Sequence, residues 1–198
     1  MAASDATVDE IGAAIAISGH TGDVAFALSH LSSSVARHRR LAMSALARCD
    51  SLSNAQLLAA LTDPDSAVRH RACQLAASTD IDLTPALNDP EPSVVEVAAW
   101  AVGEHATVDN TTRRRLEQLA QSHTDTLVRE AAVAALGAIG HPESIEAILA
   151  GAIDKPAIRR RAVLALVSYE GREVDSALKR ALDDRDWQVR QAAEDVLS

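Results

Sequence analysis

The chain has 198 residues, which suits one domain or a short repeat array with a substantial buried core. Apolar residues make up 47% of it and aromatics only 2%, so alanine and leucine must fill the interior, and closely packed helices are favoured over a β-sandwich. The formal net charge of −9 argues against a DNA or RNA partner, because nucleic-acid affinity rests largely on neutralised phosphates.

In chain order, the first apolar run is Ile11 to Ile17. It is too short to span a bilayer and the residues before it are acidic, so neither a membrane helix nor a secretory signal is expected and the protein reads as cytoplasmic. Residues 1–21 are expected to form an N-terminal capping helix, with Thr7 and Glu10 as a capping box.

From residue 22 to 198 one pattern recurs. An apolar residue is followed by Arg, then by small or apolar residues at +4, +7 and +8. Val68-Arg69, Val128-Arg129, Ile158-Arg159 and Val189-Arg190 carry it fully, and His38-Arg39 and Val94-Val95 carry it with one departure each. These offsets share one helical face. Each such helix, B, follows another apolar segment, A, such as Ala55 to Leu61 or Val174 to Leu182. Turn signals such as Asp63-Pro64-Asp65 and Asp183-Asp184-Arg185-Asp186 stand between A and B. Aspartate caps helix starts and proline is tolerated in a first turn. The expected repeats are approximately 22–50, 51–79, 80–106, 107–140, 141–170 and 171–198. Pro85 interrupts the A segment of the third, where a degenerate A helix is expected. Cys49 and Cys73 have no zinc spacing, fall inside predicted helices and should behave as small apolar residues.

The segments DPDSAVRHRACQLA (63–76), DTLVREAAVAALGAIG (125–140) and DRDWQVRQAAEDVL (184–197) resemble HEAT repeats of the short bacterial and archaeal kind, the phycobilisome-lyase HEAT-like repeat. The resemblance implies an all-α fold, a right-handed α-α superhelix of about six helix pairs plus the N-terminal helix. A helices would be convex and B helices concave. It also implies that the Arg after each anchor pairs with a turn aspartate; Asp63 and Asp184 precede Arg69 and Arg190 by six residues.

On each B helix, offsets +2 and +6 point away from the A helix, into the concave groove. This places Arg40, His70, Gln74, Glu96, Trp100, Glu130, Arg160 and Leu164 on the expected partner-binding face. Trp100 there is either a binding anchor or a filler of the degenerate third repeat. The runs Arg113-Arg114-Arg115 and Arg159-Arg160-Arg161 read as solvated helix faces, with phosphate sites as the alternative. Offset +5 is apolar in five repeats (Met43, Cys73, Ala99, Val133, Val163) but is Glu194 in the sixth, where an exposed terminal flank is expected.

The function expected is a scaffold or interaction module that binds a protein or peptide, as a monomer or weak homo-oligomer. An accessory subunit of an enzyme complex is the second reading. A stand-alone enzyme is disfavoured. HEAT-type deoxyhypusine hydroxylases hold iron through His-Glu pairs, and this sequence has none, only the reversed Glu104-His105. HEAT-like DNA glycosylases pair Trp with a carboxylate one turn on, but here Glu104 replaces Asp and the charge is wrong for DNA. No cofactor, catalytic residue or metal ligand is expected.

Overall fold

The structure is a computed structural model that describes residues 2–198, and the side chains of residues 10–198. Among the described residues every regular element is helical. The chain divides into two compact units, Met1–Ile81 and Asp82–Ser198.

The first unit holds α1 (Ala2–Thr21), α2 (Val24–Ser29), α3 (Ala36–Arg48), α4 (Asn54–Ala60) and α5 (Ser66–Ala76). α1 packs on α2 and α3, and α3 packs on α5. α1 begins at Ala2, so Thr7 and Glu10 lie inside the helix and not at its start as the expected capping box requires; the Thr7 side chain itself lies outside the described residues. The second unit holds α6 (Pro92–Gly103), α7 (Asn110–Ser122), α8 (Thr126–Ile139), α9 (Ile145–Gly151), α10 (Pro156–Ala165), α11 (Arg172–Leu182) and α12 (Trp187–Leu197). There α6, α8, α10 and α12 pack in succession as one layer, and α7, α9 and α11 lie on its other side.

All six expected B helices form: α3, α5, α6, α8, α10 and α12. Five A helices form beside them. In the third repeat the A helix is reduced to a single 3-10 turn, Ala86–Asn88, immediately after Pro85. Leu83 and Leu87 are nonetheless buried, so the apolar contacts persist where the helix does not.

The helix starts follow the sequence chemistry. Asp65, Asp109, Asp125 and Asp186 accept backbone N–H groups of α5, α7, α8 and α12. Ser53 and Gln56 form a capping box on α4. Pro92 and Pro156 occupy the first turns of α6 and α10. Each side-chain cap stabilises its helix by about 1 kcal/mol.

The +4 alanines, Ala42, Ala72, Ala98, Ala132, Ala162 and Ala193, are all fully buried. Alanine there lets paired helices approach closely, which larger side chains would prevent. All six anchors are buried, including His38, whose Nδ1 lies 3.3 Å from Ser33 Oγ. At +5, Met43, Cys73, Ala99, Val133 and Val163 are buried and Glu194 is exposed.

The arginine ladder exists, but its partner differs from the one expected. Arg39, Arg129 and Arg159 each donate to a backbone carbonyl of their own turn and reach the carboxylate of the next turn. Arg39 donates to Ser33 O at 2.8 Å and, through Nε and Nη2, to Asp63 at 2.7 and 2.6 Å. Arg129 pairs likewise with Asp154 and Arg159 with Asp184. Arg69 and Arg190 donate to the backbone carbonyls of Asp63 and Asp184. Six residues of chain bring an arginine onto its turn's backbone; stacking of the next repeat brings the carboxylate. Hydrogen bonds from Arg129 and Arg159 hold Asp154 and Asp184 below the usual carboxylate range, against burial. At Asp63 burial pushes upward, but the Arg39 hydrogen bond, the Asp65 N–H and the charges of Arg39 and Arg69 outweigh it.

The run Arg113-Arg114-Arg115 is not a solvated face. Arg113 is only 2% exposed, Arg114 is exposed, and Arg115 is half-buried and donates to Leu87 O. Arg113 donates to Glu117 at 2.5 Å and to Glu143, while Ser144 donates to Glu117 at 2.7 Å. Arg159 is likewise buried, in its ladder pair; only Arg160 of that run is exposed.

Candidate functional site: the outer face of the B helices

The +2 and +6 positions lie on the flank of each B layer away from the buried anchors, some exposed and some half-buried, and the eight expected residues divide between the two units. In the first unit Arg40 is exposed on α3, while His70 and Gln74 are half-buried on α5. Gln74 Oε1 accepts Arg71 Nη1 at 3.0 Å.

In the second unit five of them fall on three consecutive helices. Glu96 and Trp100 stand on α6, Glu130 on α8, and Arg160 and Leu164 on α10. The positions between Trp100 and Leu164 are small: Ala134 occupies +6 of α8. By helical register Trp100, Ala134 and Leu164 make an apolar strip beside the charged Glu96, Glu130 and Arg160; Trp100 and Arg160 are exposed and the other four are half-buried. Glu130 accepts an ion pair from Arg161 at 3.5 Å, which ties α8 to α10 along this strip.

Trp100 is 46% exposed. It therefore does not fill the gap of the third repeat; Leu83, Ala86 and Leu87 do. The neighbours of Trp100 on its own helix, Ala98, Ala99, Ala101 and Val102, are buried and hold the ring's backbone on a packed element.

A family model described as HEAT repeats matches residues 80–155 and again residues 114–198, together more than half of the chain. The chain belongs to the HEAT-repeat family. Its HEAT repeats account for the shared layout of α6 to α12, and HEAT repeats generally act as protein-interaction scaffolds. No curated protein matches the chain.

Other features of these HEAT repeats offer less. Among the described residues no group of three or more His, Cys, Asp or Glu could hold a metal ion. Glu104, one turn beyond Trp100, caps the C-terminus of α6 and is exposed. A cleft lined by Ile153, Val163, Arg180, Ala181, Arg185 and Val189 also contains Arg159 and Asp184, whose charges already satisfy each other. Among the described residues no helix is long and apolar enough to cross a membrane.

Sequence reasoning missed Trp187, which is 64% exposed at the first turn of α12, next to its Asp186 cap. It stands two residues before its anchor, outside the periodic offsets. Leu127, one residue before its own anchor, is 55% exposed. Large apolar residues just inside a cap were the available signal.

Proposed function

We propose that this HEAT-repeat protein is a non-enzymatic interaction module whose second unit binds a protein or peptide partner across α6, α8 and α10. The observation that carries this reading is Trp100, a large aromatic half-exposed on a packed helix, with apolar small residues beside it and charged residues at its rim. Binding hot spots have this composition: a rigid aromatic anchor within a polar border. Glu96, Glu130, Arg160 and Leu164 would set register and selectivity around the anchor. The partner is a polypeptide rather than a nucleic acid, since the strip's rim carries two carboxylates and the chain is acidic.

The short helices and the motif DTLVREAAVAALGAIG support a finer reading, kinship with the phycobilisome-lyase HEAT-like subtype, and with it a role as an accessory subunit in a cytoplasmic enzyme complex. In that role the chain supplies docking and leaves the chemistry to its partner. The test is capture from native lysate by the parent and by Trp100→Ala, side by side, with mass spectrometry of what is retained. A stoichiometric partner held by the parent and lost by the variant supports the reading. A partner held equally by both removes Trp100 from the site, and the proposal with it.

A further inference from the structure

The first unit carries a group of arginines that no described carboxylate neutralises. Arg40, Ser44 and Arg48 stand at successive i, i+4 positions on one face of α3, spanning about 12 Å along the axis. Arg71 reaches across from α5 into the middle of this row. Its Nε donates to Ser44 Oγ at 2.9 Å and its Nη1 to Gln74 Oε1 at 3.0 Å. Ser44 in turn donates to Arg40 O at 3.0 Å. Arg48 lies against α1, its Nη1 3.0 Å from where a Cβ on Gly19 would stand.

Among the described residues no carboxylate pairs with any of these three arginines, although five other arginines, from Arg39 to Arg161, each have one. Burial, and then the charges of Arg48 and Arg40, push the Arg71 guanidinium's pKa down. Arginine keeps its proton under such pressure, so the repulsion stays in the ligand-free fold. Two hydrogen bonds hold Arg71 in place, so the side chain is not free to swing away from the other two. Such a cluster is relieved by an anion.

We infer that Arg40, Arg48 and Arg71 form a docking site for a short acidic peptide segment of a partner protein, bound in extended form. The spacing selects this occupant. Alternate side chains of an extended strand repeat about every 6.6 Å on one face, close to the roughly 6 Å step between Arg40 and Ser44 and between Ser44 and Arg48. Acidic residues at every second position would each meet one guanidinium. One tetrahedral oxyanion is too small to engage the whole row. A long nucleic acid would extend beyond the patch into the field of a chain with net charge −9. This site rests on the reading of the protein as a partner-binding module, but it uses neither Trp100 nor any residue of the second unit.

The test is fluorescence anisotropy on the full chain with a labelled Asp-Ser-Asp-Ser-Asp peptide and its Asn-Ser-Asn-Ser-Asn counterpart, across about 50 to about 300 mM salt. The aspartate peptide should bind, the asparagine peptide should not, and affinity should fall as salt rises. Arg40→Gln, Arg48→Gln and Arg71→Gln should each weaken binding about two- to fivefold, and the triple variant should lose it. Trp100→Ala should leave it unchanged. Arg40→Gln and Arg48→Gln should also raise the Tm of the ligand-free chain, because each removes repulsion on Arg71; an arginine that only supported the fold would lower it. If the triple variant unfolds, the single variants decide. Equal binding of the two peptides, or single variants with the parent's affinity, overturns the proposal. So does displacement by inorganic phosphate at the peptide's own Kd, or tighter arginine-dependent binding of a single-stranded oligonucleotide. Loss of this site while Trp100→Ala still abolishes partner capture would leave the proposed function standing without it.

Discussion

The Cβ that Gly137 lacks would stand 2.5 Å from the Cβ of Ala165 and 2.8 Å from its Cα. Here α8 and α10 touch backbone to backbone. The same relationship recurs one repeat earlier, where a Cβ on Gly103 of α6 would lie 3.0 Å from Ala135 Cα. In both cases the glycine is nine residues past its anchor and the alanine seven past the next one. These contacts set how tightly successive repeats stack.

Gly137→Ala is therefore expected to destabilise the protein by about 1–3 kcal/mol, the cost of overpacking a tight contact. Helix propensity alone predicts the opposite sign, a gain of up to about 1 kcal/mol. Urea denaturation of parent and variant decides between them, and a higher midpoint for the variant would show that the α8–α10 contact is not tight.

The arginine ladder predicts an acid limb to stability. The Asp63, Asp154 and Asp184 carboxyls titrate below their ordinary range in the fold. In the unfolded chain they take up protons at about pH 4, before the folded chain does. Their contribution is thus fully present above that pH and is lost as pH falls through the lower folded values. Urea midpoints should drop below about pH 4, and the drop should be shallower in Asp154→Asn and Asp184→Asn. At neutral pH each of these variants should cost about 1–2 kcal/mol, because a charged, two-point hydrogen bond is lost. An acid limb unchanged by both substitutions would assign acid lability to other groups.

The buried Arg113 gives a separate stability test. Arg113→Ala should cost about 3–5 kcal/mol, since it opens a space and strips Glu117 of its cation. Arg113→Met, which fills the space, combined with Glu117→Gln, which removes the orphaned charge, should recover most of the loss. If the double variant is no more stable than Arg113→Ala, packing and charge at this position are not the cause. Thermal unfolding followed by circular dichroism measures both.

The parts of this fold governed by periodicity were legible in the sequence. The +4 alanines and the anchors lie where a 3.6-residue period puts them, and all are buried. The loss of the third A helix was legible because Pro85 acts locally on the backbone. What depended on neighbouring repeats was not. The Arg39 to Asp63 bond spans twenty-four residues, and only the stacking of one repeat on the next reveals it. Arg113 was misread because its run was taken as one face. At 100° per residue three consecutive arginines point three ways, and Arg113 shares its face with Leu116 and Ala120, three and seven residues on, both buried. Of the candidate site, Trp100 is exposed while Glu96, Glu130 and Leu164 are half-buried, and Trp187 and the Arg71 contact across to Ser44 were not expected.

Trp100 carries the last prediction. The ring is 46% exposed, and the packing of α6 rests on Val94, Val95, Ala98, Ala101 and Val102 instead. Trp100→Ala should therefore leave the Tm close to the parent value, unlike the loss of roughly 3–5 kcal/mol that truncating a core tryptophan brings. Partner affinity should fall by about 2 kcal/mol or more, some thirtyfold, as removal of an aromatic anchor does. Trp187→Ala removes a tryptophan that is more exposed still but lies outside the strip, so it should cost neither stability nor affinity. Calorimetric titration of the captured partner against all three proteins makes the comparison. If Trp100→Ala unfolds the chain, the residue is structural. If Trp187→Ala is the variant that loses the partner, the binding surface lies at the capped starts of the B helices, not on the strip through Trp100, Ala134 and Leu164.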